Sequence, residues 1–188
     1  MRHLVVDCET TGLSHEKNKV LTVGMLHANI DVDDLEIVDR EHIKVKHDEY
    51  NPSGIALKIN RINLAEHHEC SIYPKFACEQ IDDFIKSNCL MQAPVLGHNI
   101  QFDFRFLRAL HLQGGRNFGI EGESVDTMRI WRALRARGHV PLEMKSSLKV
   151  LSKYFGVSYA GAHDALEDCR ITAEVYQELL RLIWDRKI

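Results

Sequence analysis

Residues 1–45, MRHLVVDCETTGLSHEKNKVLTVGMLHANIDVDDLEIVDREHIKV, decide the fold class. Three β-branched-rich runs lie within them, at 2–8, 20–29 and 36–45, separated by the polar loop SHEKNK and the turn-like DVDD. Connections this short predict an antiparallel meander. Beyond residue 52 the apolar period lengthens from two to between three and four. Helical spacing appears at 53–60 and at 74–87, where Phe76, Ile81, Phe84 and Ile85 share a face. APVLGHN at 93–99 reads as a short buried strand before a helix carrying Phe102, Phe106, Leu107 and Leu110. SVDT at 124–127 reads as another strand before the helical MRIWRALRAR, and SSLKVLSKYFG as a helix closed by Gly156. The last helix, about 164–184, sets Leu166, Cys169, Ala173, Tyr176, Leu180 and Ile183 three and four apart. Three meander strands followed by alternating helices and strands predict an α/β fold with a mixed sheet flanked by helices.

The chain has 188 residues, 45% hydrophobic and 27% charged, which fits one globular domain and excludes a disordered, collagenous or coiled-coil chain. No apolar run approaches the ~18 residues of a membrane span, and the N-terminus lacks the pattern of a signal peptide. Five cysteines, Cys8, Cys70, Cys78, Cys89 and Cys169, form no C-x-x-C pair. Together these features predict a cytoplasmic protein with reduced thiols and no membrane association. The net charge is −3, but residues 104–153 hold ten Lys/Arg against four acids, so that segment carries +6 and the remainder −9. A basic stretch in an acidic protein predicts either a patch facing a polyanion or a set of solvated helix faces.

Three places carry candidate chemistry. Asp7 and Glu9 are two apart on a strand, so their side chains share one face while Leu4, Val6 and Cys8 take the other. Paired carboxylates on an apolar strand repel each other and lose hydration unless a cation such as Mg²⁺ or Mn²⁺ lies between them. The plain alternative is a strand that ends at Asp7, with Glu9 in a solvated turn. Asp103 opens a helix after the APVLGHN strand; it either caps that helix or faces the crevice at the carboxyl end of the sheet. GAHDALEDC brings His163 to the start of the last helix and Asp168 to the edge of its buried stripe; taken singly, the plain alternatives are a surface or capping histidine and an exposed acid.

Read together these give D-x-E-T-T-G-L, G-H-N-x-x-F-D and H-x-A-L-x-D, in that order along the chain. In this set the chain resembles the DnaQ-like 3′→5′ exonucleases of the DEDDh group, relatives of the proofreading epsilon subunit of bacterial DNA polymerase III. The likeness runs from Asp7 to the last helix, and Asp126-Thr127 and SSLKVLSKYFGV match its connecting elements.

The resemblance implies a ribonuclease H-like fold, a five-stranded mixed sheet with three antiparallel strands, and a single exonuclease domain over 1–188. It implies that Asp7, Glu9, Asp103 and Asp168 hold two divalent cations, Mg²⁺ or Mn²⁺, and that His163 is the general base. Histidine rather than tyrosine at this place assigns the DEDDh subgroup. Substrate contacts carried over are Thr10, Thr11, Gly12 and Leu13 in the turn, with His98 and Asn99 near the scissile phosphate. On their own residues the alternatives are a core leucine, a satisfied strand-end histidine and a turn-forming asparagine. Arg129, Arg132 and Arg135, three apart on one helix, are expected along a phosphodiester backbone, with Trp131 and Leu134 packed inward. The expected substrate is single-stranded DNA or frayed 3′ ends, in repair or proofreading, with association with a polymerase or self-association among the family's possibilities. An exoribonuclease, or an inactive module that binds nucleic acid or a polymerase, remains the alternative. His67-His68 carries no third ligand at metal spacing, and Gly114-Gly115 lacks a phosphate-binding motif.

Overall fold

The computed structural model describes residues 1–187. Strand β1 (Arg2–Thr10) lies at the centre of a five-stranded sheet of order β3-β2-β1-β4-β5. It pairs antiparallel with β2 (Val20–Ile30), which pairs antiparallel with β3 (Leu35–Lys44). Its other edge pairs parallel with the short β4 (Val95–Gly97), and β4 pairs parallel with β5 (Ser124–Asp126). Parallel neighbours need long crossovers, and the helices supply them. These are α1 (Gly54–Asn60), α2 (Leu64–Glu69) and α3 (Pro74–Ser87) before β4, and α4 (Ile100–Gln113) before β5. Then come α5 (Thr127–Ala136), α6 (Leu148–Phe155) and α7 (Ala165–Arg186). The meander and the mixed sheet expected from the sequence are both present.

Alternation along β1 divides the core. Leu4, Val6 and Cys8 pack with Ile81 of α3 and Phe106 of α4. Val5 packs on the opposite face with Leu26, Cys169 and Ala173, the last two from α7. A third cluster joins Trp131, Leu134, Leu151 and Ile171 between α5, α6 and α7. Burying each such side chain contributes about 1.5–3 kcal/mol, so the three clusters fix both faces of the sheet at once.

Several expectations need correction. Phe76 is 53% exposed, so the buried face of α3 is Ala77, Cys78, Ile81, Phe84 and Ile85. Helix α2 was not expected: LAEHHE has no apolar stripe, and the Asn63 side chain starts it by accepting from the Ala65 amide. β1 runs on past the expected 2–8 to Thr10, which keeps Glu9 on the strand with Asp7 and removes the alternative of a strand ending at Asp7. No helix among the described residues is long and apolar enough to cross a membrane.

Candidate active site

The site forms at the carboxyl end of β1, where three separate stretches of chain converge. Asp7 and Glu9 project from the face covered by α7, as the alternation requires. The β1–β2 register shifts between Glu9 and Thr10, so the strand turns away immediately beyond the second carboxylate. Asp103 comes from the other side. β4 pairs with β1 only through Leu4 and Val5, so further along that edge the Cys8 amide has no strand partner. Asp103, in the first turn of α4, takes its place: the Cys8 N–H donates to Asp103 Oδ1 at 3.0 Å. Asn99 adopts a left-handed backbone (φ 69°) to turn the chain from β4 into α4.

Asp168 arrives on α7. Asp164 caps that helix, its Oδ1 accepting from the amides of Leu166 and Glu167. One turn on, Asp168 Oδ2 accepts from the His163 amide at 3.3 Å, while its buried Oδ1 has no partner among the described residues. His163 is itself held with φ 73°, a conformation rare for a side-chain-bearing residue. Its ring meets Tyr159 edge to face, centroids 6.1 Å apart. Ligand atoms of Glu9, His163 and Asp168 all lie within 4.8 Å of one another.

The electrostatics follow from this crowding. Burial, then Asp103, Asp168 and Glu9, push the Asp7 carboxyl well above the usual carboxylate range. Glu9 rises to about 8, chiefly from burial and then from Asp168 and Asp103, with a hydrogen bond from Asn60 opposing the rise. Asp103 and Asp168 also rise, both mainly through burial. Two ionised carboxylates about 5 Å apart repel by about 3 kcal/mol at an effective dielectric of 20. That is more than a typical hydrogen bond returns, so the cluster needs protons or cations between its oxygens. An all-oxygen set with an orphaned buried Oδ1 suits a hard divalent cation.

The expected substrate contacts divide. The Thr10 hydroxyl donates to the Gly12 carbonyl at 2.7 Å, and Thr11 Oγ1 accepts from the Lys19 amide at 2.8 Å; both residues are buried. Their side chains therefore brace the turn, which leaves the backbone of the turn to make the contacts expected of it. Gly12 packs against Asn18, whose side chain a Cβ at Gly12 would meet at 2.6 Å. Leu13 is 88% exposed and so is no core leucine. His98 is a satisfied strand-end residue: Nε2 donates to the Ser146 carbonyl at 2.9 Å and Nδ1 meets the Thr127 hydroxyl at 2.8 Å. Burial lowers its pKa to about 4, so the ring is neutral. The Ser146 carbonyl can only accept, which makes Nε2 the protonated nitrogen and Nδ1 an acceptor from Thr127. Asn99 is exposed at the mouth of the site, its amide donating to Asp126 Oδ1.

The arginine series also divides. Arg132 Nε donates to Ser146 Oγ at 3.0 Å and Arg135 Nη1 to the Met144 carbonyl at 2.6 Å, so both clamp the segment before α6. Only Arg129 of the three stays largely free, 67% exposed, in a long 3.8 Å pair with Asp126.

Asn60 was not anticipated. It is buried at the end of α1, donates to the Thr10 carbonyl at 3.2 Å and hydrogen-bonds Glu9, so it holds strand and carboxylate together. Nothing in the local pattern of GIALKIN marks it. A trough of about 340 Å³ opens beside Glu9 and His163 and is bordered by Thr22, His42, Asn60 and Asp164. A larger cavity of about 1070 Å³, near Lys17, His47 and Tyr73, holds none of the clustered carboxylates.

A family model described as an exonuclease, RNase_T, matches residues 4–176. The chain is 26% identical over 181 residues to the PolC-type DNA polymerase III of Thermotoga petrophila, covering 96% of this chain and 12% of that protein. It is 26% identical over 190 residues to the DNA polymerase III subunit epsilon of Aquifex aeolicus, covering 96% of this chain and 81% of that one. The chain thus spans about an eighth of the PolC-type relative (12%). Among solved structures, Escherichia coli exonuclease I in complex with a dT13 oligonucleotide has the same fold, with a TM-score of 0.82 at 19% identity. That match covers 99% of this chain and 42% of the other.

Proposed function

The chain belongs to the DnaQ-like 3′→5′ exonuclease family described by the RNase_T model, and on that premise we propose a metal-dependent exonuclease acting on single-stranded DNA. It releases nucleoside 5′-monophosphates one at a time from 3′ ends, with residues 1–188 acting as one exonuclease domain. The observation that carries the reading is the buried, partnerless Oδ1 of Asp168 inside a set of four carboxylates all pushed upward by burial.

In this reading Asp7, Glu9, Asp103 and Asp168 hold two cations, Mg²⁺ or Mn²⁺. Such ions, when bound, neutralise charge developing on the attacking and leaving oxygens of a phosphoryl displacement. The protein's own groups do the rest. His163, beside Glu9 and Asp168, accepts the proton of the attacking water, a task its neutral imidazole nitrogen can perform from within 4.8 Å of their carboxylate oxygens. The Cys8 amide and Asn60 hold Asp103 and Glu9 in register before substrate arrives. Leu13 and Asn99, exposed on either side, receive the terminal nucleotide. The dT13 oligonucleotide bound to exonuclease I supports a single-stranded DNA substrate, and the PolC-type and epsilon relatives support work beside a polymerase in the cytoplasm.

The test is a gel assay on matched 5′-labelled DNA and RNA oligonucleotides with Mg²⁺ or Mn²⁺. The expected result is a descending ladder on DNA, absent with EDTA and in Asp7→Ala and His163→Ala. A ladder on RNA alone moves the substrate to RNA; no ladder on either strand by folded protein removes the enzyme reading.

A further inference from the structure

A strand led toward a carboxylate cluster carries one negative charge per phosphate, so cationic side chains along its path favour binding, and the surroundings of the site are not equivalent in charge. The trough beside Glu9 is bordered by Glu66 and Asp164 as well as Lys44. The larger cavity sets Glu16, Asp48 and Glu49 against Lys17 and Lys19. The side built by α5, α6 and their connection is different: residues 127–153 contain seven Lys/Arg and one acid, Glu143.

That connection is tied to the site by specific contacts. His98, one residue before the turn into α4, donates to the Ser146 carbonyl at 2.9 Å. Arg132 holds the Ser146 hydroxyl and Arg135 the Met144 carbonyl, so Lys145 is fixed at the backbone on both flanks while its side chain is exposed. On the other flank the Asp126 carboxylate accepts from the amides of Asn99 and Arg129, which places the first turn of α5 beside the entry to α4. The Arg129 side chain there is 67% exposed, and among the described residues its one ion pair is a long 3.8 Å contact with the buried Asp126 carboxylate. That carboxylate also accepts from the amides of Asn99, Met128 and Arg129, so the guanidinium can turn to a phosphate without leaving Asp126 unpaired.

We propose that Arg129 and Lys145 form a phosphate rail that holds the backbone of the single strand upstream of its 3′ end, with Arg132, Arg135 and His98 serving to fix the segment that carries Lys145. This rests on the exonuclease reading and specifies the path of its substrate. The rail contacts phosphates and not base edges, so its contribution is salt-dependent and indifferent to sequence. It keeps the purpose that the sequence suggests for the basic segment but changes the residues that serve it. Two of the three arginines are spent on building the rail, and a lysine outside their series joins the third on it.

The test compares the double variant Arg129→Gln/Lys145→Gln with Lys75→Gln/Lys86→Gln, which removes the same charge from exposed positions on α3. Binding of a fluorescein-labelled oligothymidylate is followed by anisotropy over a salt series, with Ca²⁺ replacing Mn²⁺ to keep the strand uncut. Melting temperatures confirm that each variant is folded. The rail variant is expected to bind about tenfold more weakly, with its log K against log salt slope reduced by roughly 1.4, two single-strand phosphate contacts' worth. The α3 variant is expected to bind like the wild type. Equal affinity and slope in the two variants overturn the rail. Wild-type hydrolysis of thymidine 5′-monophosphate p-nitrophenyl ester with Mn²⁺ tests the enzyme reading separately: its absence sinks that reading, while the binding series still decides the rail.

Discussion

Asp103 Oδ1 accepts the amide hydrogen of Cys8 at 3.0 Å across 95 residues of chain, and so completes an edge of β1 that β4 is too short to cover. The carboxylate is at once a piece of sheet and a member of the charged cluster. The two roles separate in Asp103→Asn, whose side-chain carbonyl still accepts from Cys8 but carries no charge. The expected outcome is a melting temperature in EDTA at pH 8 raised by a few degrees, equivalent to about 1–2 kcal/mol of relieved repulsion. Exonuclease activity is expected to fall by about 100-fold or more, since one member of the proposed cation-binding set loses its charge. A variant that melts lower than wild type in EDTA contradicts the claim that charge there is destabilising.

The cluster also sets a pH dependence with a definite sign. Glu9 holds its proton to about pH 8 when folded but releases it near 4.5 when unfolded. The folded state therefore binds more protons in that window, and the stability this supplies is full below pH 4.5 and lost as pH rises through about 8. Without metal, the melting temperature is expected to fall from pH 6.5 to 8.5. Mg²⁺ or Mn²⁺ should reverse the fall, most strongly at the alkaline end, because the ion takes the place the protons leave. Differential scanning fluorimetry with EDTA and with each metal checks this; a metal-induced shift no larger at pH 8.5 than at 6.5 argues against cation binding at these carboxylates.

His98 predicts the opposite sign at lower pH. Its pKa is lowered from 6.5 to about 4 by burial, so the folded state binds fewer protons than the unfolded one between those values. Its contribution is present above pH 6.5 and lost as pH falls toward 4, up to about 3 kcal/mol at roughly 1.4 kcal/mol per unit. His98→Leu is expected to lose about 2 kcal/mol at pH 7, from two hydrogen bonds and a stranded Ser146 carbonyl. The deficit narrows toward pH 4.5, where the wild-type imidazole is being forced to ionise. Urea titrations at the two pH values measure the gap; a constant gap means His98 does not titrate in this way.

Much of this was legible in the sequence because it depends on local periodicity. Alternation along β1 places Asp7 and Glu9 on one face whatever the rest of the chain does, and the stripe of α7 places Asp168 at its edge. What was hidden depends on contacts between distant segments. Thr10 and Thr11 look like free hydroxyls until the fold supplies Gly12 and Lys19 as partners. His98 looks available until Ser146, 48 residues away, occupies one nitrogen. Asn60 has no periodic reason to be buried; only the approach of α1 to the end of β1 makes it a support for Glu9. Short polar helices such as α2 escape for the same reason, since their caps are visible but no apolar stripe is.

Gly24 is the clearest case of a residue whose importance no local pattern signals. It pairs with Asp7 across β1 and β2, and a Cβ placed on it would meet the Ala165 carbonyl carbon and oxygen at 2.4 Å and the Leu166 amide nitrogen at 2.6 Å. These are backbone atoms of the first turn of α7, which cannot swing aside as a flexible side chain would. Cys169 Sγ lies 3.2 Å from the Gly24 carbonyl, so the contact continues into the second turn. Asp168 lies on that same turn, and its distance from Asp7 is set by how closely α7 lies on β2. Gly24→Ala must therefore lift the helix start, costing about 1–3 kcal/mol as overpacking does. It should also move Asp168 and the His163 amide bonded to it away from Glu9. The expected result is a folded protein, melting several degrees lower, that has lost most of its exonuclease activity and most of its Mn²⁺-induced thermal shift. Gly54→Ala is the matched control: a Cβ there meets nothing within 4 Å, and Ala at the first residue of α1 should leave both properties unchanged while stabilising by about 0.5 kcal/mol. If Gly24→Ala keeps wild-type activity and the full Mn²⁺ shift, the close approach of α7 to β2 is not what brings the carboxylates together.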